Sequence, residues 1–476
     1  MNTPGARQIA FVGLLISVIL VAAQAPAEDW PKFLHDLNNS AHSGETGISS
    51  SNVQTLKTKW TFSSGYEFSA SPAIATVKGT SMVFLGAWNG KFYALNAVTG
   101  KRIWSFTVDL VPPCRTNSCR IGSSAAVDTA NNLVFFGAEN AYLYALNAST
   151  GALVWKQQLG DPNKGAEVWS SPAFYNGMVF VGLASHNDAP CVIGLVNAYN
   201  ERNGNPVWSF PTIDQSTCPG GTCLGGAVSS SLAIDSTNGI VYAGTGDPGA
   251  KCTPPTQNAT RYPDAVLALN ASTGTLLNDY LAVANEQEDD DFVSSPILHT
   301  TGRVNQCTGQ NTFEYWVTDM RKVGGIFVLG RDAGGLTGTV QTMKSVGFNA
   351  SSGFLAETNI TKCAAGKQQT DYMNNIFAPD DDGVLLTLFQ DHAGKTSFKH
   401  GSKSSKKPLF GAPAIIKDIV LFGGQDEHLY VSKTDGSNLL NFEVKGPVYG
   451  GVAISNNRVY FATSLGYLYC MSPNGK

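Results

Sequence analysis

The chain has 476 residues, 50 of them glycine, with 10% aromatic and only 14% charged side chains, a composition that describes turn-rich, tightly packed sheet. A formal net charge of −4 and a pI near 6.0 leave no electrostatic footprint for a nucleic-acid binder. The one basic run, Lys399 to Lys407, reads as a solvated loop between two repeats.

In chain order, Arg7 precedes the apolar run from Ile9 to Ala23, which is short for a membrane span and is followed by the small-x-small pattern Ala25-Pro26-Ala27. Residues 1–27 are therefore expected to be a signal peptide cleaved before Glu28, giving a secreted or periplasmic protein with no membrane span after cleavage. A polar lead-in follows and is expected to wrap the fold before Trp60 enters it.

From there one pattern recurs. ALNAVTGKRIW at 94–104 returns as ALNASTGALVW at 145–155, AYNERNGNPVW at 198–208 and ALNASTGTLLN at 268–278, with looser copies at 328–338, 388–398 and 430–440 and a truncated one at the C-terminus. Each copy is an alternating strand running into Asn-x-x-Thr-Gly, where a glycine such as Gly100 can take positive φ, then a strand carrying a bulky aromatic such as Trp104. A short strand pair cannot bury its apolar face alone, and repetition about an axis is the sequence mark of a propeller. Eight units are counted, at 66–106, 120–160, 167–210, 226–283, 289–344, 370–400, 407–444 and 447–476, separated by insertions at 108–119, 211–225, 247–264, 300–312 and 345–369. The last unit ends at its hairpin, while the Trp60 strand has no hairpin before it. The expected fold is all-β: a single eight-bladed β-propeller over 28–476, closed by that N-terminal strand.

Nine cysteines in an exported chain point to disulfides, and the short spacings favour Cys114–Cys119 and Cys218–Cys223. Pairing among the other five is open, with at least one left free. No Cys-x-x-Cys-His occurs, which excludes a covalently attached c-type haem, and no Cys/His cluster suits zinc.

Aligning the innermost strands puts Glu67, Arg120, Glu167, Ala227 and Asp291 in one register, so four ionisable groups are expected at one mouth of the central channel. Such a ring is costly unless its charges pair or bind something. Arg120 bridging Glu67 and Glu167 is the purely structural outcome.

At this point the chain resembles the pyrroloquinoline quinone (PQQ) dehydrogenases with eight-bladed propellers, in their polyvinyl-alcohol dehydrogenase-like branch. The residues that carry the likeness are WPKFLHDLNNSAHSGETGIS in the lead-in, VYAGTGDP at 241–248, DDDFVSSPIL at 289–298 and RKVGGIFVLGRDAG at 321–334. The resemblance implies PQQ lying flat over the channel mouth beside a calcium ion, and an aspartate that takes the alcohol proton. By that likeness Asp291 is the catalytic base, with Asp289 as the fallback. Lys322 polarises a quinone carbonyl, Arg120 and Glu67 meet the cofactor, and Asp188, Asp247 and Asp291 ligate the metal. The family's stacking tryptophan is Ser229 here, and Trp169 in the neighbouring unit is the candidate replacement. The implied substrate is an alcohol, polymeric or secondary, with electrons leaving to a separate acceptor such as a cytochrome.

Bland readings stand beside these. Asp247 before Pro248 is an ordinary turn residue, the acidic run 286–291 a solvated loop, and Lys322 a strand-end lysine. A non-catalytic exported propeller that binds a protein or glycan through its insertion-rich rim is the alternative function.

Overall fold

The structure, a computed structural model, describes residues 28–111, 114, 119–185, 192–214, 224–247, 262–282, 291–322, 325–343, 353–363, 366–380 and 382–476. Among these the regular elements are almost all strands, joined by turns and irregular segments, with short 3-10 turns at Val53–Thr55 and Pro162–Lys164. No helix in the described residues is long and apolar enough to cross a membrane. The expected signal peptide, Asp188, Asp289 and the Cys218–Cys223 pair lie outside the described residues.

The strands form seven sheets, mostly antiparallel groups of four that follow the sequence repeats. In the first, Ala73–Val77, Thr80–Gly86, Lys91–Asn96 and Arg102–Thr107 pair in order. Middle strands such as Leu133–Gly137 are buried at every residue, whereas the outermost strand Leu153–Gln158 alternates exposed and covered. The cause is that neighbouring sheets cover both faces of the inner strands, so continuous apolar runs are favoured there. Between the first two sheets, Phe92 stacks on Phe136 at 4.0 Å and Phe136 on Tyr144 at 5.3 Å.

The repeated tryptophan and glycine explain each other. The Trp104 ring lies against Gly151, where an added Cβ would come within 2.6 Å, and its Nε1 donates to the Ala148 carbonyl at 3.0 Å. Gly151 also has φ +74°, so a glycine is required twice over. Trp155 meets Gly204 and Trp208 meets Gly274 in the same way, each docking one unit on the next hairpin. Where the aromatic is lost, Asn278 reaches Gly335 and His400 reaches Gly436. The N-terminal strand Leu56–Ser63 pairs antiparallel with the C-terminal Tyr467–Pro473, and Trp60 docks on Gly100 while donating to the Ala97 carbonyl at 3.1 Å. The missing tryptophan strand of the last unit is thus supplied from the front of the chain.

The fifth and sixth repeats depart from expectation. Segments read as insertions at 300–312 and 345–369 carry strand: Ile297–Asn305 and Asn311–Arg321 form one long hairpin, Gly353–Lys362 and Gln368–Pro379 another. Gly302 to Asn305 pair with Tyr372 to Gln369, which merges both repeats into one eight-stranded sheet. A Cys307–Cys363 disulfide joins the hairpins, Cys114–Cys119 forms as expected, and Cys470 is a buried free thiol.

The lead-in crosses the inner strands rather than running around the outside. Its backbone bonds to Ile74, Val127, Ile234, Leu298 and Ile415 on five different sheets. The first four lie seven residues beyond Glu67, Arg120, Ala227 and Asp291, respectively. Seven extended residues span up to about 23 Å, so the lead-in covers the end of the fold opposite the ring positions.

Candidate functional site

Arg120 is almost fully buried, and its guanidinium reaches Glu139 at 3.0 Å and Glu167 at 3.8 Å. It also lies 4.5 Å from the Trp88 ring and 5.7 Å from the Trp169 ring, a cation held between two aromatic faces. The Arg120 backbone N–H donates to Glu139 at 2.8 Å, fixing the second glutamate from the strand turn that follows Gly137. Trp88 is anchored by its Nε1–H on Ser69 Oγ at 2.8 Å. Glu67 is half-buried beside this group; burial raises its pKa and the Arg120 charge pulls it back.

The expected Glu67–Arg120–Glu167 bridge is therefore corrected in part. Glu139, which the register of inner strands does not contain, holds Arg120 more closely than Glu167 does. Glu139 sits in the turn Ala138-Glu139-Asn140, which in the first unit is Ala87-Trp88-Asn89. Comparing those turns, rather than the inner strands, was the signal that would have found both Glu139 and Trp88.

On the fourth and fifth units a second cluster forms. Phe292 bridges Arg321, so Asp291 and Lys322 become neighbours: the Lys322 N–H donates to the Asp291 carbonyl at 3.0 Å and their side chains form an ion pair. The Asp247 N–H donates to Asp291 Oδ1 at 2.6 Å, drawing the GTGD turn onto the same carboxylate. Gly246 makes this approach possible, since a Cβ there would meet Asp291 at 2.3 Å. Asp247, Asp291 and Lys322 are thus brought together. Asp188 lies outside the described residues.

Below both clusters lies a cavity of about 160 Å³. Its walls include Ser69, Gly122, Trp169, Ser229 and Val293, each two residues beyond Glu67, Arg120, Glu167, Ala227 and Asp291 in turn. Each of the five register positions is therefore two residues along the chain from the wall of one cavity. Trp169 lies against Gly122, where a Cβ would meet its ring at 2.9 Å, so a flat aromatic surface borders the opening, while Ser229 in the neighbouring unit offers only a hydroxyl.

Two cations, Arg120 and Lys322, stand here, each already facing carboxylates (Glu139 and Glu167 for Arg120, Asp291 for Lys322), with Trp169 as an apolar plane. For a hard cation the oxygen set is shorter, since the described residues bring two carboxylates together and contain no group of three metal-ligating side chains.

Asp319 lies directly behind the second cluster. It is fully buried, its carboxyl bonded to the Ser294 hydroxyl and the Met320 N–H, and burial raises its pKa to about 8. Gly244 leaves the space for it, as a Cβ there would meet Oδ2 at 2.7 Å. Folding thus binds a proton that the unfolded chain releases above its ordinary pKa of 3.8. Stability is expected to fall as pH rises from about 4 towards 8, then level off. Asp319→Asn should flatten that slope in urea unfolding at successive pH values; an unchanged slope would show that the carboxyl is ionised in the fold.

Comparison with known proteins gives the family. Residues 30–345 match the model of the PQQ family, described as the glucose/ethanol/alcohol dehydrogenase β-propeller domain. The chain is 26% identical over 329 residues to the quinoprotein alcohol dehydrogenase PedH of Pseudomonas putida, covering 61% of this chain and 55% of that protein. It is 26% identical over 328 residues to a polyvinylalcohol dehydrogenase of a Pseudomonas species, covering 61% and 49%. The chain thus spans about half the length of these curated relatives. Among solved structures, a europium-containing methanol dehydrogenase superposes with a TM-score of 0.70 at 16% identity, covering 94% of this chain and 98% of that one. The quinohemoprotein alcohol dehydrogenase of Comamonas testosteroni gives 0.69 at 16%, covering 96% and 82%. With two-thirds of its length matched by the family model, the chain belongs to the PQQ β-propeller family, and the curated proteins similar to it include quinoprotein alcohol dehydrogenases.

Proposed function

We propose that the protein is an exported alcohol dehydrogenase of the quinoprotein type, built on a closed ring of eight four-stranded blades and acting on secondary or polymeric alcohols. The observation that carries this reading is the contact of Asp291 with both Lys322 and the Asp247 turn, above a cavity bordered by Trp169. When bound, PQQ would supply the two-electron acceptor and calcium a Lewis acid beside it.

In this reading Asp291 accepts the proton of the alcohol hydroxyl, and Lys322 holds Asp291 ionised until it does so. Lys322, Arg120, Glu67 and Trp169 are the residues that would hold the quinone, the two cations countering its negative charge, Glu67 offering a hydrogen-bond acceptor and Trp169 an apolar surface. Asp247, Asp291 and Asp188 are the proposed calcium ligands. Electrons then pass to a separate acceptor such as a cytochrome.

Adding PQQ and calcium to the purified protein should produce alcohol-dependent reduction of an artificial dye, strongest with secondary or polymeric alcohols. No reduction with any alcohol would end the dehydrogenase reading.

A second reading, a propeller that binds a protein or glycan without chemistry, draws on the long hairpins of the fifth and sixth repeats. There Phe313, Tyr315, Ile360, Tyr372 and Phe398 are exposed. It gains if activity is absent while a ligand is retained on that surface.

A further inference from the structure

The cavity under the candidate site continues inward to a belt of five serines, one from each of the first five inner strands. Ser71 N–H donates to Ser124 Oγ at 2.9 Å, Ser124 to Ser171 at 3.0 Å, Ser171 to Ser231 at 3.0 Å and Ser231 to Ser295 at 2.9 Å. The Gly451 N–H reaches Ser71 Oγ at 2.6 Å. All five side chains line the cavity. Each oxygen already accepts one N–H, and among the described residues none of the five hydroxyl hydrogens has a protein acceptor. The Ser230 hydroxyl, in a residue 5% exposed and lining the same cavity, has no hydrogen-bond partner among the described residues. A set of buried donors without acceptors is a set waiting for a guest.

A charge stands directly behind the belt. Lys32, 2% exposed, comes from the lead-in, next to Phe33 at the cavity wall. Its ammonium donates only to neutral oxygens: the carbonyls of Phe33 at 2.6 Å and Asp36 at 2.8 Å, and Asn39 Oδ1 at 2.6 Å. The Asp36 carboxylate is turned instead to the N–H and hydroxyl of Ser40. Asn39 in turn donates to the carbonyls of Leu232 and Pro296, the residues that follow Ser231 and Ser295. The buried cation is therefore two hydrogen bonds from the belt and has no ion-pair partner among the described residues. A buried charge without a counter-charge is expensive, and burial holds the Lys32 pKa down at about 8, only partly offset by Asp36.

We propose that the serine belt is a binding site for one small monovalent anion, chloride by size and charge, held by the converging hydroxyls and compensating Lys32. The cavity has room for roughly five water-sized guests, so the ion would keep part of its hydration. This site is distinct from the reaction mouth: it uses no ring residue, and it neither needs nor excludes a quinone above it. Its consequence is structural, since the anion would tie the lead-in to the first five inner strands through charge.

The test uses bromide as the probe. Crystals of the full chain soaked in sodium bromide should show an anomalous peak inside the belt. In solution, the melting temperature should rise by about 1–3 °C in chloride or bromide relative to gluconate, a monovalent anion too bulky for the belt, at equal ionic strength. Lys32→Met should remove both signals; if that variant does not fold, Ser231→Ala/Ser295→Ala provides the same comparison. Absence of the bromide peak in the wild-type belt, with water alone there and equal melting in all three salts, overturns the proposal. So does a peak that persists unchanged in the variants.

Discussion

Asp291→Asn is expected to lower alcohol-dependent dye reduction by the PQQ- and calcium-loaded protein by about 10²–10⁴-fold, the range of a lost general base. The substitution keeps the volume and leaves an oxygen to accept the Asp247 N–H, so the fold around the GTGD turn should survive and circular dichroism should be unchanged. What it removes is the negative charge facing Lys322. Lys322→Ala, which leaves the Asp291 carboxyl and its bond from the Asp247 N–H in place, should lose less of the rate than Asp291→Asn. If Asp291→Asn retained activity within threefold of wild type, the base would have to be sought elsewhere, and the acidic run at 286–290 just before it would be the first place to look.

The second large effect is on stability. Trp60→Ala should cost about 3 kcal/mol, at the lower end for deleting a large aromatic because the ring is only half-buried. The loss combines its packing on Gly100, its contact with Tyr460 at 6.1 Å and its hydrogen bond to the Ala97 carbonyl. Because Trp60 joins the N-terminal strand to the first hairpin, unfolding should begin with release of that strand, seen as early hydrogen exchange at Leu56–Ser63 and in its partner Tyr467–Pro473. Lys57→Ala on the exposed side of the same strand should stay within about 0.5 kcal/mol of wild type. Equal effects of the two substitutions would mean that the N-terminal strand contributes no more than a surface edge.

What was legible in the sequence follows the same division. The tryptophan–glycine repeat was readable because each glycine answers two demands at once, positive φ and the flat face of the next ring, so the pair recurs at fixed spacing. The meeting of Asp291 with Lys322 follows from two short motifs joined by the Phe292–Arg321 bridge. Glu139 and Trp88 were missed because they sit in turns between strands, and their convergence on Arg120 depends on how three sheets meet. The strand Gly353–Lys362 was missed because its partner contacts replace the tryptophan dock with a second hairpin and a disulfide, leaving no repeat to recognise. The serine belt was hidden by its blandness. Serine in an inner strand says little until five of them bond nose to tail around one cavity.

The central claim is that one mouth gathers Arg120, Lys322 and Trp169 around a flat, anionic guest. Titration of the purified chain with PQQ in the presence of calcium, followed by tryptophan fluorescence, measures this without relying on turnover. The account predicts saturable one-to-one quenching that is weakened at least tenfold by Arg120→Ala or Lys322→Ala, and largely abolished in amplitude by Trp169→Phe. Quenching that does not saturate, or that is indifferent to all three substitutions, would contradict it.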